Sequence, residues 1–150
     1  MAEMSPELMD MINGDSYCYV ATASKDGMPN VAIIGSVRAV SPDTIIMAAG
    51  FMNKSLKNLQ ENPKTSVIFY SGLPTQKNKA SAEDLAKTTG GQVKGSVSLL
   101  TSGDVHEKMK AAMEERFGPE IAQIVKATVM LKVEEIYTVG LGPEAGKRIA

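Results

Sequence analysis

The sequence predicts a mainly β protein with peripheral helices: a small closed or split barrel of about six mostly antiparallel strands, in one domain over residues 1–150. Three observations carry this expectation. Strand-like text rich in β-branched and aromatic residues recurs over 17–23, 30–40, 44–49, 64–71, 93–101 and 127–140. Short turn signals, Asp26-Gly27 and Ser41-Pro42-Asp43, separate the early strands and favour antiparallel hairpins. Helical text is confined to short pieces between or before strands, which places helices outside a sheet that closes on itself.

The elements follow in order. Ser5-Pro6-Glu7 reads as a helix N-cap with proline in the first turn, and Leu8, Met9 and Ile12 give that helix an apolar stripe that Gly14 ends. "YCYVATA" (17–23), "NVAIIGSVRAV" (30–40) and "TIIMAA" (44–49) are three strands joined by hairpins. A short helix with Leu56 and Leu59 on one side follows, stopped by Asn62-Pro63, and "KTSVIFYS" (64–71) is the fourth strand. Residues 72–92 are polar and interrupted by Pro74 and Gly90-Gly91; only "SAEDLAKT" is helical text, with Ser81 as its cap. So long a connection is either a functional loop, expected near a ligand or subunit groove, or a mobile one. "VKGSVSLLT" (93–101) is the fifth strand. Helical text over 103–118 places Val105, Met109, Ala112, Met113 and Phe117 on one face, with His106 among charges as a solvated histidine. A short helix over 119–126 precedes the sixth strand, and the tail from Leu141 has no clear pattern.

Composition narrows the function classes. A chain of 150 residues with 43% hydrophobic content can bury a sizeable core. Sixteen basic residues against 17 acidic leave a net charge of -1, so nothing favours nucleic acid as a partner. A lone cysteine, Cys18, forms no intramolecular disulfide, and with a single His106 the chain supplies no Cys/His metal centre. Neither a basic-then-apolar leader nor an 18-residue apolar run is present, so the expectation is a cytoplasmic protein without a membrane partner. Ten methionines with no tryptophan suggest a core filled by flexible side chains.

"GFMNKSLKNL" (50–59) loads the start of a short helix with amide, ammonium and hydroxyl groups. Two readings fit: Asn53 or Ser55 caps the first turn, or an anion sits there, held by free N–H groups and Lys54.

The segments "DGMPNVAIIGSV", "IIMAAGFMNKSLKNLQENPKTSVIFY" and "VKGSVSLLTSGDVHEKM" stand in an order that resembles the pyridoxamine 5′-phosphate oxidase-like family of FMN-binding split barrels. The likeness covers roughly residues 15–137, and its most specific part is Lys54 through Pro63. The resemblance implies a homodimer with FMN at the subunit interface. Lys54 would then neutralise the FMN phosphate, with Asn53 and Ser55 donating hydrogen bonds. Ile33, Ile34, Gly35 and Ser36 would form the first flavin-contacting strand, and Ala48, Ala49 and Gly50 the second. The bland readings are a β-bulge at Gly35 and a crowded barrel interior at Ala48-Ala49. Gly95-Ser96 would approach the flavin from a later strand, across the dimer.

The activity implied is that of a flavin-dependent oxidoreductase acting on a small molecule, fed by a nicotinamide or another reduced carrier. Non-enzymatic FMN storage or electron transfer is an alternative. Others are a same-fold binder of deazaflavin or haem, and a ligand-free dimeric scaffold. Haem fits least, because a histidine on an exposed helix face is a poor axial ligand. True pyridoxamine 5′-phosphate oxidases carry a C-terminal tryptophan and an R-x-H pair. Here there is no Trp, and Lys147-Arg148 is followed by Ile149, so vitamin B6 oxidation is not expected. No residue is singled out as catalytic.

Overall fold

Residues 2–150 are described by a computed structural model. The elements are α1 (Pro6–Ile12), β1 (Cys18–Ala23), β2 (Pro29–Ile34), β3 (Arg38–Ser41), β4 (Thr44–Ala49), α2 (Asn53–Glu61), β5 (Lys64–Ser71), α3 (Ala82–Ala86), β6 (Thr89–Leu100), α4 (Asp104–Phe117), α5 (Pro119–Gln123) and β7 (Ala127–Val139). All seven strands pair antiparallel in one sheet, in the order β2-β1-β5-β6-β7-β4-β3.

That order has a geometric consequence. β2 and β3 form the two edges of the sheet, yet only Gly35, Ser36 and Val37 separate them in the chain. Four Cα steps span at most about 14 Å. The sheet therefore curls until its edges nearly meet, and it stays split there because β2 and β3 exchange no ladder. The Ala48 N–H donates to Ser36 Oγ (3.0 Å), which fastens the crossover to β4. The expected single strand over 30–40 is thus two strands, and the expected six are seven. Periodicity cannot reveal the break, because both pieces read as strand.

The barrel core follows the pleat. Val20, Val67, Val93 and Ile136 lie opposite one another across β1, β5, β6 and β7 and are buried, as are Ile45 with Leu131 and Met47 with Val129. The row one residue along, Ile33–Tyr19–Ile68–Gln92–Tyr137, points outward. Asp26-Gly27 makes the β1–β2 turn with Gly27 at φ 87°, a conformation that favours glycine.

The helices cap and clad the barrel. Ser5 caps α1 through its side chain, and Ile12 is buried beneath it. α2 buries Leu56 and Leu59, while Asn58 Nδ2 donates to Thr22 Oγ1 within the core (3.0 Å). α4 and α5 lie on the outer face of β4 and β7, where Met109 and Val125 pack with Ala48. The face of α4 differs from the one expected: Ala112 and Phe117 are exposed, and His106 is only 4% exposed. Its Nδ1 lies 3.0 Å from Thr128 Oγ1, so this histidine packs against β7 with a polar partner. A polar residue on the packed face hides the true stripe from hydrophobic periodicity.

The polar connection is shorter than expected, since Thr89–Gln92 already belong to β6 and pair with β5. Its remainder holds a 3-10 turn at Lys77–Lys79 and α3, whose Ser81 and Asp84 form a reciprocal capping box. The tail folds back along β7: the Ile149 N–H donates to Ile136 O (2.8 Å), and Arg148 lies 3.8 Å from a Glu135 oxygen. No helix among the described residues is long and apolar enough to cross a membrane.

Candidate functional site at the split of the barrel

A cleft of about 600 Å³ opens where the barrel is split. Its floor is the end of β2 with the crossover, and one wall is the end of β4 running into α2. The other wall is the C-terminal part of α4 with α5. This volume lies in the range of about 300–1,000 Å³ typical of small-molecule sites. The lining is mostly apolar: Ile33, Ile34 and Met52 from the barrel side face Met113, Ile121 and Ile124 from the helices. Two phenylalanines stand at its rim, Phe51 (80% exposed) and Phe117 (52%).

Of the ten site residues expected, six line this cleft: Ile33, Ile34, Gly35, Ser36, Ala48 and Gly50. Gly35 is the crossover residue itself, not a bulge inside a ladder, and a Cβ there would come 3.1 Å from the Tyr17 ring. The missing side chain lets the Tyr17 ring pack close to the crossover at the cleft edge. Ala48 faces the cleft side of β4. Its neighbour Ala49 points into the barrel core and is 1% exposed, so only its backbone is available there.

The remaining three, Asn53, Lys54 and Ser55, form the first turn of α2, and the cleft leads to them along Gly50, Phe51 and Met52. The capping reading does not hold. The N-cap is Met52, no side chain caps the helix, and the first turn carries no acidic residue. The first helical bond joins the Leu56 N–H to Met52 O (2.7 Å), which leaves the N–H groups of Asn53, Lys54 and Ser55 ahead of the ladder. Ser55 is buried and its Oγ accepts from Asn30 Nδ2 (3.0 Å). Asn53 Oδ1 accepts from Lys126 Nζ (2.8 Å), and the Lys126 N–H donates to Ala49 O (3.0 Å). Among the described residues, neither Lys54 nor Lys126 has an acidic partner.

Sequence reasoning missed several members of this site. Lys126 stands 72 positions after Lys54 and meets α2 only because β7 pairs with β4. Arg38 lines the cleft and donates to the carbonyls of Val37 (2.7 Å) and Gly35 (3.4 Å), so it braces the crossover. Arg116 lies 5.1 Å from the Phe117 ring on the opposite wall. None of these carries a motif signal.

Three stretches of the chain lie outside this chain's own cleft: Gly95, Ser96 and residues 72–92. Gly95 sits at a bulge where β7 gains Glu134, and a Cβ on it would fall 1.8 Å from Lys132 O. Ser96 joins Lys64 and Glu134 in an exposed network, where hydrogen bonds from Ser96 and then Lys64 hold the Glu134 carboxyl below its usual range. Residues 72–92 leave and rejoin the barrel beside Tyr70.

The outer sheet face next to the cleft is unusual in composition. Val31 (65% exposed) and Ile33 (63%) on β2 continue across Tyr19 and Ile68 to Tyr137, and Tyr17 (63%) stands at the same edge. Tyr19 and Tyr70 stack with ring centroids 5.9 Å apart and hydroxyls 3.2 Å apart. Hydrogen bonding to Tyr19 holds the Tyr70 hydroxyl above its ordinary pKa. All four tyrosines of the chain lie on this face or at its rim.

Comparison with known proteins agrees with this architecture. An uncharacterized protein of Methanocaldococcus jannaschii is 33% identical over 134 residues, covering 88% of this chain and 78% of the relative. The structure of HupZ from Group A Streptococcus superposes with a TM-score of 0.71 at 25% identity, covering 95% of this chain and 99% of HupZ. An FMN-binding protein from Syntrophomonas wolfei gives 0.73 at 21% identity (90% and 85% covered), and HutZ, the haem storage protein of Vibrio cholerae, 0.65 at 20% (95% and 99%). The family model for pyridoxamine 5′-phosphate oxidase matches residues 4–140, and the chain belongs to that family of split barrels.

Proposed function

We propose that this protein is an FMN-binding flavoprotein that works as a homodimer and transfers electrons to a small molecule, as a flavin-dependent oxidoreductase. The observation that carries the proposal is the continuity between an apolar cleft and an uncapped helix start bearing two lysines without acidic partners. This donor set matches the two halves of FMN: a planar, largely apolar ring and a phosphate of charge about −1.5 to −2 at pH 7. The likeness to an FMN-binding protein of the same fold supports it further.

In this reading the ring lies in the cleft against Ile33, Ile34 and Ala48, with backbone groups of the Gly35-Ser36 crossover at its polar edge. Lys54 and the free N–H groups of the α2 first turn hold the phosphate, where the helix dipole and charge-assisted hydrogen bonds act together. Once bound, FMN itself supplies hydride and electron transfer. The chain orients the ring and keeps water from one face of it.

The second copy has a physical reason. Tyr17 and Ile33 line the cleft while staying largely exposed, and they continue into the tyrosine-rich outer face. Aromatic residues are enriched in interface cores. A partner seated on that face would supply the missing wall. Haem is the poorer occupant, because the single histidine of the chain is enclosed against Thr128 and does not line the cleft.

Titration of the purified protein with FMN, followed by quenching of flavin fluorescence, is expected to saturate at one FMN per chain. Sedimentation should give a dimer, and NADH or NADPH should bleach the bound flavin. Absence of saturable FMN binding overturns the proposal. Binding without reduction by any nicotinamide or small-molecule donor would leave an FMN carrier and remove the oxidoreductase assignment.

A further inference from the structure

We propose that Lys126 is a second cation of the phosphate subsite, held in position by Asn53, and that the lysine pair selects a phosphate monoester dianion over a singly charged diester. The inference rests on the FMN reading above and assigns roles within that site.

The placement of Lys126 is fixed at its backbone. Its N–H donates to Ala49 O, and the next residue, Ala127, pairs with Ala49 across β7 and β4. This sets the Lys126 side chain opposite the strand-to-helix turn, where Nζ reaches Asn53 Oδ1 at 2.8 Å. The acceptor is a neutral amide. The charge of Lys126 is therefore directed to the head of α2 without being neutralised there.

The electrostatic arrangement is costly in the absence of an anion. Lys54 and Lys126 both stand at the positive end of the α2 dipole, and the first turn contains no acidic residue. Asp or Glu is the common choice at such a position, and like charges repel. A dianionic phosphate removes both penalties, because each lysine then meets one unit of negative charge. A phosphodiester carries one charge and matches only one of the two. Asn53, assigned by the family likeness as a phosphate donor, acts instead as a positioning residue for Lys126.

Equilibrium titration of the full chain separates these roles with three probes: FMN, riboflavin, and riboflavin 4′,5′-cyclic phosphate as a monoanionic diester. Wild type is expected to bind FMN at least tenfold more tightly than the cyclic diester. In Lys126→Gln, FMN affinity should fall about tenfold or more, riboflavin affinity should stay unchanged, and the preference for FMN over the diester should shrink. Asn53→Asp, which sets a carboxylate beside Lys126, should weaken FMN more than Asn53→Ala while sparing riboflavin.

Wild-type FMN affinity in Lys126→Gln refutes the inference and leaves the FMN reading intact. Parallel loss of riboflavin and FMN also refutes it, because Lys126 would then support the fold or the ring. If wild type binds neither flavin, the FMN reading falls and this inference with it.

Discussion

Replacing Lys54 by Ala tests the proposed phosphate site at a solvent-exposed member. Lys54 is solvent-exposed at the second position of α2 and makes no ion pair, so truncation removes no contact that supports the folded chain. It removes a positive charge from the positive end of a helix dipole, which relieves a repulsion of about 0.3–1 kcal/mol at most. The urea midpoint of the apoprotein should stay unchanged or rise slightly. With FMN the sign reverses. A hydrogen bond to a charged group contributes about 1.5–3 kcal/mol, equivalent to roughly ten- to over a hundredfold in Kd. The assay is flavin fluorescence quenching at low ionic strength, repeated at high salt, where screening should shrink the difference between wild type and variant. Riboflavin, which lacks the phosphate, should bind both equally. A parallel loss of riboflavin, or a variant apoprotein that melts early, would refute the reasoning, since Lys54 would then serve the ring or the fold.

Three further outcomes follow from the geometry. Ile33→Asp places a carboxylate in the centre of the tyrosine-rich face and on the cleft floor. Burying it unpaired costs on the order of several kcal/mol, so sedimentation should show a monomer with weakened FMN binding. Gly95→Ala forces a Cβ to within 1.8 Å of Lys132 O unless the β6–β7 bulge shifts; denaturant titration should show a loss of at least about 1–3 kcal/mol. Burial pushes the Cys18 thiol up to about 11, so iodoacetamide should leave it unmodified at pH 8 in the folded protein and modify it in urea. The raised value also sets a pH window. The stabilisation linked to this group is complete below about 9 and disappears as pH rises through about 11, a loss on the order of 2–3 kcal/mol that Cys18→Ser should abolish.

Local chemistry made much of the fold legible. Asp26-Gly27 fixed one hairpin, Ser5-Pro6 and Ser81 announced two helix starts, and β-branched runs marked the strands. Each signal acts within a few residues, so it survives in the sequence. The donor-rich lead-in to α2 was legible in the same way, because its residue types are adjacent in the chain. His106 shows the limit of such signals: a histidine among charged neighbours reads as solvated until its partner, Thr128, is brought from 22 positions away.

By itself the sequence determined the β class, the antiparallel pairing of early strands and a donor-rich helix start. Tertiary structure alone decided that 30–40 is two strands on opposite edges of the sheet, because a crossover and a continuous strand share the same apolar text. It alone joined Lys126 to Asn53, Arg38 to the crossover and the four tyrosines to one face, since those neighbours arise from strand pairing across long separations. The cleft lies at the split because there the sheet edges approach without bonding, and curvature of the whole sheet, which no local residue pattern encodes, sets where that is.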